Sequence, residues 1–236
     1  MTDVYMLDHF PSLSTLIKAQ RAELTAAQNG SKAVSILTGD FLMPYLLSTI
    51  DKGRGMMKTI NHVPIDYVTF GNHENDLPHQ DFLEREREFE GLWINSNMQS
   101  HESFKGSKSQ VATSTIEVQS ADGSNVRRVG LLSALTDHPS LYKPGAFGGA
   151  KILDPWDTMG HYKALLEQQG VDFVLPLCHL YEPEDNVTAQ RFDFPVILSG
   201  HDHHRVDRVA NGSRLLQPGQ DAIFCGGARH LLGKAF

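Results

Sequence analysis

Tyr67-Val68-Thr69-Phe70-Gly71-Asn72-His73-Glu74-Asn75-Asp76 decides the fold. A short β-branched and aromatic run breaks into a polar loop, and Pro78 follows. A strand that ends this way sets its loop at the carboxyl edge of a sheet, where open α/β sheets place their ligand crevices. The loop carries an amide oxygen able to bind a metal, an imidazole for proton transfer and a carboxylate to orient that imidazole. In isolation Gly71 to Asp76 reads as a turn with Asp76 capping the next helix. Similar polar strand ends elsewhere in the chain raise it above that reading.

Working outward, Ala33 to Thr38 delivers Gly39-Asp40, Val171 to Leu177 delivers Cys178-His179, and Pro195 to Ser199 delivers Gly200-His201-Asp202-His203-His204. Between them the pattern predicts helices. One opens at Pro11-Ser12, buries Leu13, Leu16, Ile17, Gln20 and Leu24, and stops at Gly30. A second runs from Pro44 to Ile60 with interruptions at Gly53 and Gly55. A third, from Pro78 to Glu90, turns Phe82, Leu83 and Phe89 inward, and a fourth starts at Asp154-Pro155 and closes at Gly170. Leu92 to Asn95 reads as a strand, and Thr113 to Gln119 with Val126 to Ser133 as a β-hairpin. Arg205 to Ala210, the Asn211-Gly212 turn, Arg214 to Gln217 and Ala222 to Cys225 predict a terminal run of short strands. The loop from Thr136 to Lys151 is either a flap over the site or plain connection.

Composition narrows the class. At 236 residues the chain fits one domain spanning 1–236, and a net charge of −7 argues against a broad nucleic-acid-binding face. Cys178 and Cys225 are the only cysteines, so there is neither a disulfide framework nor a thiolate zinc site. The start lacks a basic region followed by a long apolar run, and no apolar stretch reaches membrane-spanning length, so compartment stays open. Asn186-Val187-Thr188 and Asn211-Gly212-Ser213 match the glycosylation pattern, which matters only in a secreted protein.

If the strands are neighbours, Asp3, Asp40, Asn72-His73, His179 and His201-Asp202-His203 converge in one crevice. Hard oxygens mixed with imidazole nitrogens suit Mn²⁺, Zn²⁺ or Fe. Two such ions sharing a carboxylate form a clamp for displacement at phosphorus. Taken singly, Asp40 is equally an N-cap and His179 a satisfied core histidine. The histidine cluster at 201–204 is harder to explain without a partner, and it does not fit the HExxH zinc-protease helix.

In order, Asp3-Val4-Tyr5, Gly39-Asp40, Gly71-Asn72-His73-Glu74, His179 and Gly200-His201-Asp202-His203 resemble the calcineurin-like metallophosphoesterases, whose pattern is D-x-H, G-D, G-N-H-E/D, H, G-H-x-H. Asp76 after His73, and Trp93-Ile94-Asn95-Ser96-Asn97, are most similar to the 5′-nucleotidase branch. The resemblance implies an α/β fold, a four-layer α/β/β/α sandwich with mixed sheets. It implies two divalent ions, with Asp40 shared, Asp3 and His203 on the first, and Asn72, His179 and His201 on the second. Water activated by the metals would attack phosphorus, while His73, oriented by Asp76, stabilises the transition state or protonates the leaving oxygen. The implied substrate is a small phosphorylated molecule, such as a nucleotide.

The chain departs from the pattern at Tyr5, where the family has histidine; a neutral phenol is a poor ligand, so the first metal is expected to be weakened. Asp8 and His9 lie nearby outside the motif spacing. The chain is expected to be clipped at both ends, lacking the strand into Asp3 and ending at Gly233-Lys234-Ala235-Phe236. It is also expected to be without the C-terminal nucleoside-binding domain of the 5′-nucleotidase branch, so base recognition is not carried over. Alternatives are a diphosphatase or phosphodiesterase of the same superfamily, or a truncated non-catalytic domain. His138 and His230 are further histidines with the potential to approach the site.

Overall fold

Two stacked sheets carry the polar loops. The computed structural model describes residues 1–28, 30–106 and 108–224. Strands β1 (Ile36–Thr38), β2 (Tyr67–Thr69), β3 (Leu92–Ile94) and β4 (Gln110–Val111) pair in parallel, in that order. They are short and apolar because both faces are covered, as parallel strands require. The second sheet is mixed. Its strands are β5 (Thr113–Gln119), β6 (Val126–Leu135), β7 (Phe173–His179), β8 (Val196–Leu198), β9 (Arg205–Ala210) and β10 (Ser213–Pro218), in the order β5-β6-β7-β8-β10-β9. The β5–β6 and β9–β10 pairs are antiparallel, and the pairs between them are parallel.

Alternation along the strands sorts side chains into layers. Leu131 and Leu177 join Ile94, Ile116 and Val129 between the sheets. Their neighbours Leu132 and Cys178 face the other way, under helices α5 (Pro155–Gln168) and α6 (Glu182–Arg191), with Met159, Leu166 and Ala189. On the first sheet Leu37, Val68 and Trp93 face α1 (Phe10–Ala27), α3 (Arg54–His62) and α4 (His79–Glu88) through Phe10, Met56, Ile60 and Phe82. The order of layers is therefore helix, sheet, sheet, helix. Each fully buried aliphatic or aromatic side chain contributes about 1.5–3 kcal/mol to holding those layers. No described helix is long and apolar enough to cross a membrane.

Polar side chains stitch the two sheets at their carboxyl ends. Ser133 N donates to Ser96 Oγ at 2.8 Å, and Asn97 Nδ2 donates to the Leu135 carbonyl at 2.7 Å. Asn95 Oδ1 accepts from Phe70 N at 2.7 Å, which fixes the exit of β2.

Several expectations hold and several need correction. Asp154 caps α5, accepting from Asp157 N at 2.8 Å. The break after Pro44 falls at Lys52–Gly53, which separates α2 (Leu46–Asp51) from α3, while Gly55 lies inside α3. In α1, Leu13 is buried but Leu16 is exposed, and the helix ends at left-handed Gln28, short of Gly30. The predicted strand from Ala222 is a turn over its described part, Ala222 to Phe224; Asp221 and Ala222 both have φ of 55° and direct the chain back toward Asp3. Cys225, His230 and Gly233 to Phe236 lie outside the described residues. Met1 to Val4 form no assigned strand, yet they run beside β1: Thr38 N donates to Met1 O at 2.9 Å and Val4 N to Asp40 O at 2.7 Å. Those bonds seat Asp3 without a regular strand.

Candidate metal centre

Strand register brings the polar ends together. Thr38 pairs with Thr69, so Gly39-Asp40 emerges beside Phe70-Gly71, and Leu135 pairs with His179. His179 shares the face of Leu175 and Leu177 and so points between the sheets, toward the Asp40 loop. Two glycines let the loops touch. A Cβ on Gly71 would sit 2.2 Å from Asp40 Oδ1, and one on Gly200 would sit 1.8 Å from Thr2 Oγ1. Asp3, Asp40, His201 and His203 have φ of 53°, 55°, 92° and 59°. Non-glycine residues reach that left-handed region at a cost, and such strain concentrates at functional sites.

One oxygen faces both halves of the centre. Asp40 Oδ1 is engaged by His73 N at 2.7 Å, while Oδ2 lies 3.1 Å from His179 Nε2 and 3.3 Å from the Tyr5 hydroxyl. His179 Nδ1 donates to the Thr38 carbonyl at 2.7 Å, which leaves Nε2 as a bare lone pair in the neutral ring. That Nε2 is buried without an aligned hydrogen bond and stands 3.1 Å from Asp40 Oδ2, so a neutral ring sets two lone pairs against each other. Burial opposes charge on His179, but Asp40 beside it wins and raises the imidazole to about 10. The pair thus favours positive charge between its atoms, a proton in the metal-free site whose place a divalent ion would take. Asn72 Oδ1 is likewise buried without a hydrogen-bond partner. Asp40, His179 and His201 present donor atoms within 4.8 Å of one another. Burial, with His179 alongside, lowers His201 to about 4 and keeps its ring neutral, as a metal ligand must be. The orphaned atoms and the mixed oxygen and nitrogen donors fit a borderline divalent ion.

The other half is gathered around Tyr5. Its hydroxyl lies 3.1 Å from His203 Nε2 and 3.4 Å from Asp3 Oδ1, and His203 Nε2 lies 3.5 Å from Asp3 Oδ1. Burial, then the carboxylates of Asp40 and Asp3, push the phenol above its ordinary range. Asp3 Oδ2 accepts from Thr2 Oγ1 at 2.5 Å and from His201 N at 2.9 Å, which ties the first motif to the last.

His73 and Asp76 meet at the rim, with Nδ1 and Oδ2 2.6 Å apart and both side chains about a third exposed. His73 Nε2 has no partner among the described residues. Beside the dyad, Asn75 to Leu77 and Lys143 to Gly148 line a cavity of about 240 Å³. The loop from Thr136 to Lys151 is thus next to the site, pinned by buried Phe147, whose amide donates to Asn75 Oδ1 at 2.8 Å.

Two supporting residues escaped the sequence reading. Glu74 is fully buried, and its carboxylate accepts from Asp40 N at 2.8 Å, Phe41 N at 2.7 Å, Leu42 N at 3.1 Å and Gly71 N at 2.5 Å. Burial and the Asp40 charge raise Glu74 to about 7 against the pull of those amides. Its place in the Gly71 motif was the available signal. Asp221 accepts from Tyr5 N at 2.7 Å and Met6 N at 2.9 Å, and nothing in its local sequence marks it. His204 takes no part in the centre. It pairs with Glu182 at 3.0 Å, while Asp202 accepts from Glu182 N at 2.5 Å and so caps α6. His138 bonds Ser140 at 2.8 Å and packs edge-on against Tyr181, which in turn meets His201.

Solved structures share this architecture. Sulfate thiohydrolase SoxB of Thermus thermophilus aligns with a TM-score of 0.74 at 20% identity, over 89% of this chain and 37% of that one. The NAD nucleotidase of Haemophilus influenzae aligns with a TM-score of 0.75 at 17% identity, over 90% and 40%. The calcineurin-like phosphoesterase YfkN of Bacillus subtilis gives 0.71 at 17% identity, over 93% and 80%. The chain therefore spans well under half the length of the first two. No curated protein sequence matches it. The profile of the calcineurin-like phosphoesterases matches residues 1–205, which takes in every motif from Asp3 to His203, and the chain belongs to that family.

Proposed function

We propose that this chain is a metal-dependent phosphoester hydrolase with a dinuclear centre, acting on a nucleotide or a related small phosphate monoester. The observation that carries the reading is Asp40 Oδ2, which faces the buried Nε2 of His179 on one side and the Tyr5, Asp3 and His203 group on the other. In this assignment Asp40 would be shared. Asp3 and His203 would hold the first ion, and Asn72, His179 and His201 the second. Bound divalent ions supply Lewis acidity and lower the pKa of a water at neutral pH.

The protein's own groups do the rest. The Thr38 carbonyl fixes the His179 tautomer through Nδ1. Asp76 holds the Nδ1 proton of His73, so Nε2 is the atom that donates to the leaving oxygen or to a phosphoryl oxygen. The dyad, with Trp93 to Asn97 in β3 and the loop after it, favours a 5′-nucleotidase-like monoesterase. Hydrolysis of AMP, NAD, p-nitrophenyl phosphate and bis(p-nitrophenyl) phosphate by Mn²⁺-loaded protein tests this. Chelator-sensitive turnover of the monoesters is expected. Preference for the diester makes the protein a phosphodiesterase instead, and no turnover of any of them removes the hydrolase reading.

A further inference from the structure

We propose that the Tyr5 hydroxyl oxygen is itself a ligand of the first metal position. This rests on the dinuclear reading above and reverses the expectation that Tyr5 merely weakens that position. The argument is one of spacing. Tyr5 Oη stands 3.1 Å from His203 Nε2, 3.3 Å from Asp40 Oδ2 and 3.4 Å from Asp3 Oδ1.

As hydrogen bonds the two carboxylate contacts, at 3.3 and 3.4 Å, are long. A hydroxyl donating to a carboxylate settles at about 2.5–2.7 Å. It also has a single proton, which serves only one of the two carboxylates, while His203 Nε2 is within reach as donor or acceptor. As distances between neighbouring ligands of one cation they are ordinary. Metal bonds of about 2.0–2.2 Å place adjacent ligand atoms about 3.0–3.5 Å apart. The Asp3 Oδ1 to His203 Nε2 separation, 3.5 Å, falls at the top of the same range.

Independent contacts hold the phenol in place. Asp221 accepts from Tyr5 N at 2.7 Å and donates its own amide to the Asp3 carbonyl at 2.9 Å, so the backbone on both sides of Val4 is clamped. The ring meets His203 edge-on at 5.2 Å and His73 at 6.3 Å. Coordination breaks the phenolic O–H bond, sends the proton to solvent and directs an oxygen lone pair to the cation, with no change of oxidation state. The first position then has three oxygens and one imidazole. The second has two oxygens and two imidazoles, so the first is the harder site.

The test is Mn²⁺ content per chain by elemental analysis, with ultraviolet difference spectra on adding Mn²⁺, for wild type, Tyr5→Phe and Tyr5→His. Circular dichroism confirms that each variant is folded, and Tyr5→Phe retains the ring contacts and the backbone clamp. We expect two ions and a phenolate difference band in the wild type, one ion and no band in Tyr5→Phe, and two ions without the band in Tyr5→His. Two ions in both wild type and Tyr5→Phe overturns the role of Tyr5 and leaves the dinuclear reading standing. One ion in the wild type, rising to two in Tyr5→His, shows that the phenol excludes the metal and overturns both.

Discussion

The carboxylate of Glu74 holds the backbone amide of Asp40 at 2.8 Å, binding the loop that carries the shared ligand to the loop that carries Asn72 and His73. Its two oxygens together receive four backbone amides, and a neutral side chain of the same shape accepts at only one oxygen. Glu74→Gln should therefore leave buried amides unpaired. Each lost bond to a charged acceptor is worth about 1.5–3 kcal/mol, so urea unfolding should show a loss of at least about 2 kcal/mol. Mn²⁺ affinity, measured by calorimetry, should fall about 10–100-fold through displaced ligands. Unchanged affinity would remove Glu74 from the support of the centre.

The dyad separates chemistry from metal binding. His73 gives its backbone amide to Asp40 but keeps its ring for Asp76, so replacing the ring leaves the ligands in place. His73→Ala should lower kcat on a phosphate monoester about 100- to 10,000-fold, the usual range for a positioned acid or base, at unchanged metal content. Asp76→Asn should lose less, because the ring and its Nε2 remain. Full activity in His73→Ala would sink the assignment.

What could be read in the sequence was whatever local chemistry signals. Short apolar runs that stop at a polar residue, most often after a glycine, announced strand ends, and the ligand candidates Asp40, Asn72, His179, His201 and His203 lie at such ends, while Asp3 follows no strand. The helix α6 went unread. Its buried positions include Asp185 and Thr188, so no aliphatic stripe repeats, and only its start was signalled, by Pro183 and the acids Glu182, Glu184 and Asp185 in the first turn. Strand β4 has two residues, too few to show a period. The parts played by Glu74 and Asp221 depend on backbone amides far away in sequence, and no local pattern encodes them.

Phe147 anchors the loop beside the dyad. Buried within a 3₁₀ turn, it stacks on Phe70 with ring centroids 5.4 Å apart and meets Phe82 at 5.9 Å. Through it Lys143 to Gly148 form one wall of the cavity beside the dyad. Phe147→Ala should cost about 3–5 kcal/mol in chemical unfolding, the range for a buried aromatic. Limited proteolysis should cut the variant first between Lys143 and Lys151. Cleavage that begins elsewhere would show that the ring does not anchor this segment.

Beneath that wall lies a titrating pair away from the metal ligands. Ser103 Oγ donates to Glu86 Oε1 at 3.0 Å and meets His101 Nδ1 at 2.7 Å, while Glu86 Oε2 and His101 Nε2 are buried without partners. Burial raises Glu86 from 4.5 to about 8 and lowers His101 from 6.5 to about 4. The raised carboxyl stabilises the fold while protonated, and its contribution drains away as pH climbs from 4.5 to about 8. The lowered imidazole contributes while neutral, and that contribution is lost as pH falls from 6.5 to about 4. The two slopes oppose each other below 6.5, and above it Glu86 acts alone. Wild-type stability from this pair should fall by about 1.4 kcal/mol per pH unit between pH 6.5 and 8. Glu86→Gln, which still offers Ser103 an acceptor, should flatten that slope in urea titrations at the two ends of the window. An equal slope in both proteins would mean that Glu86 is already ionised in its buried site.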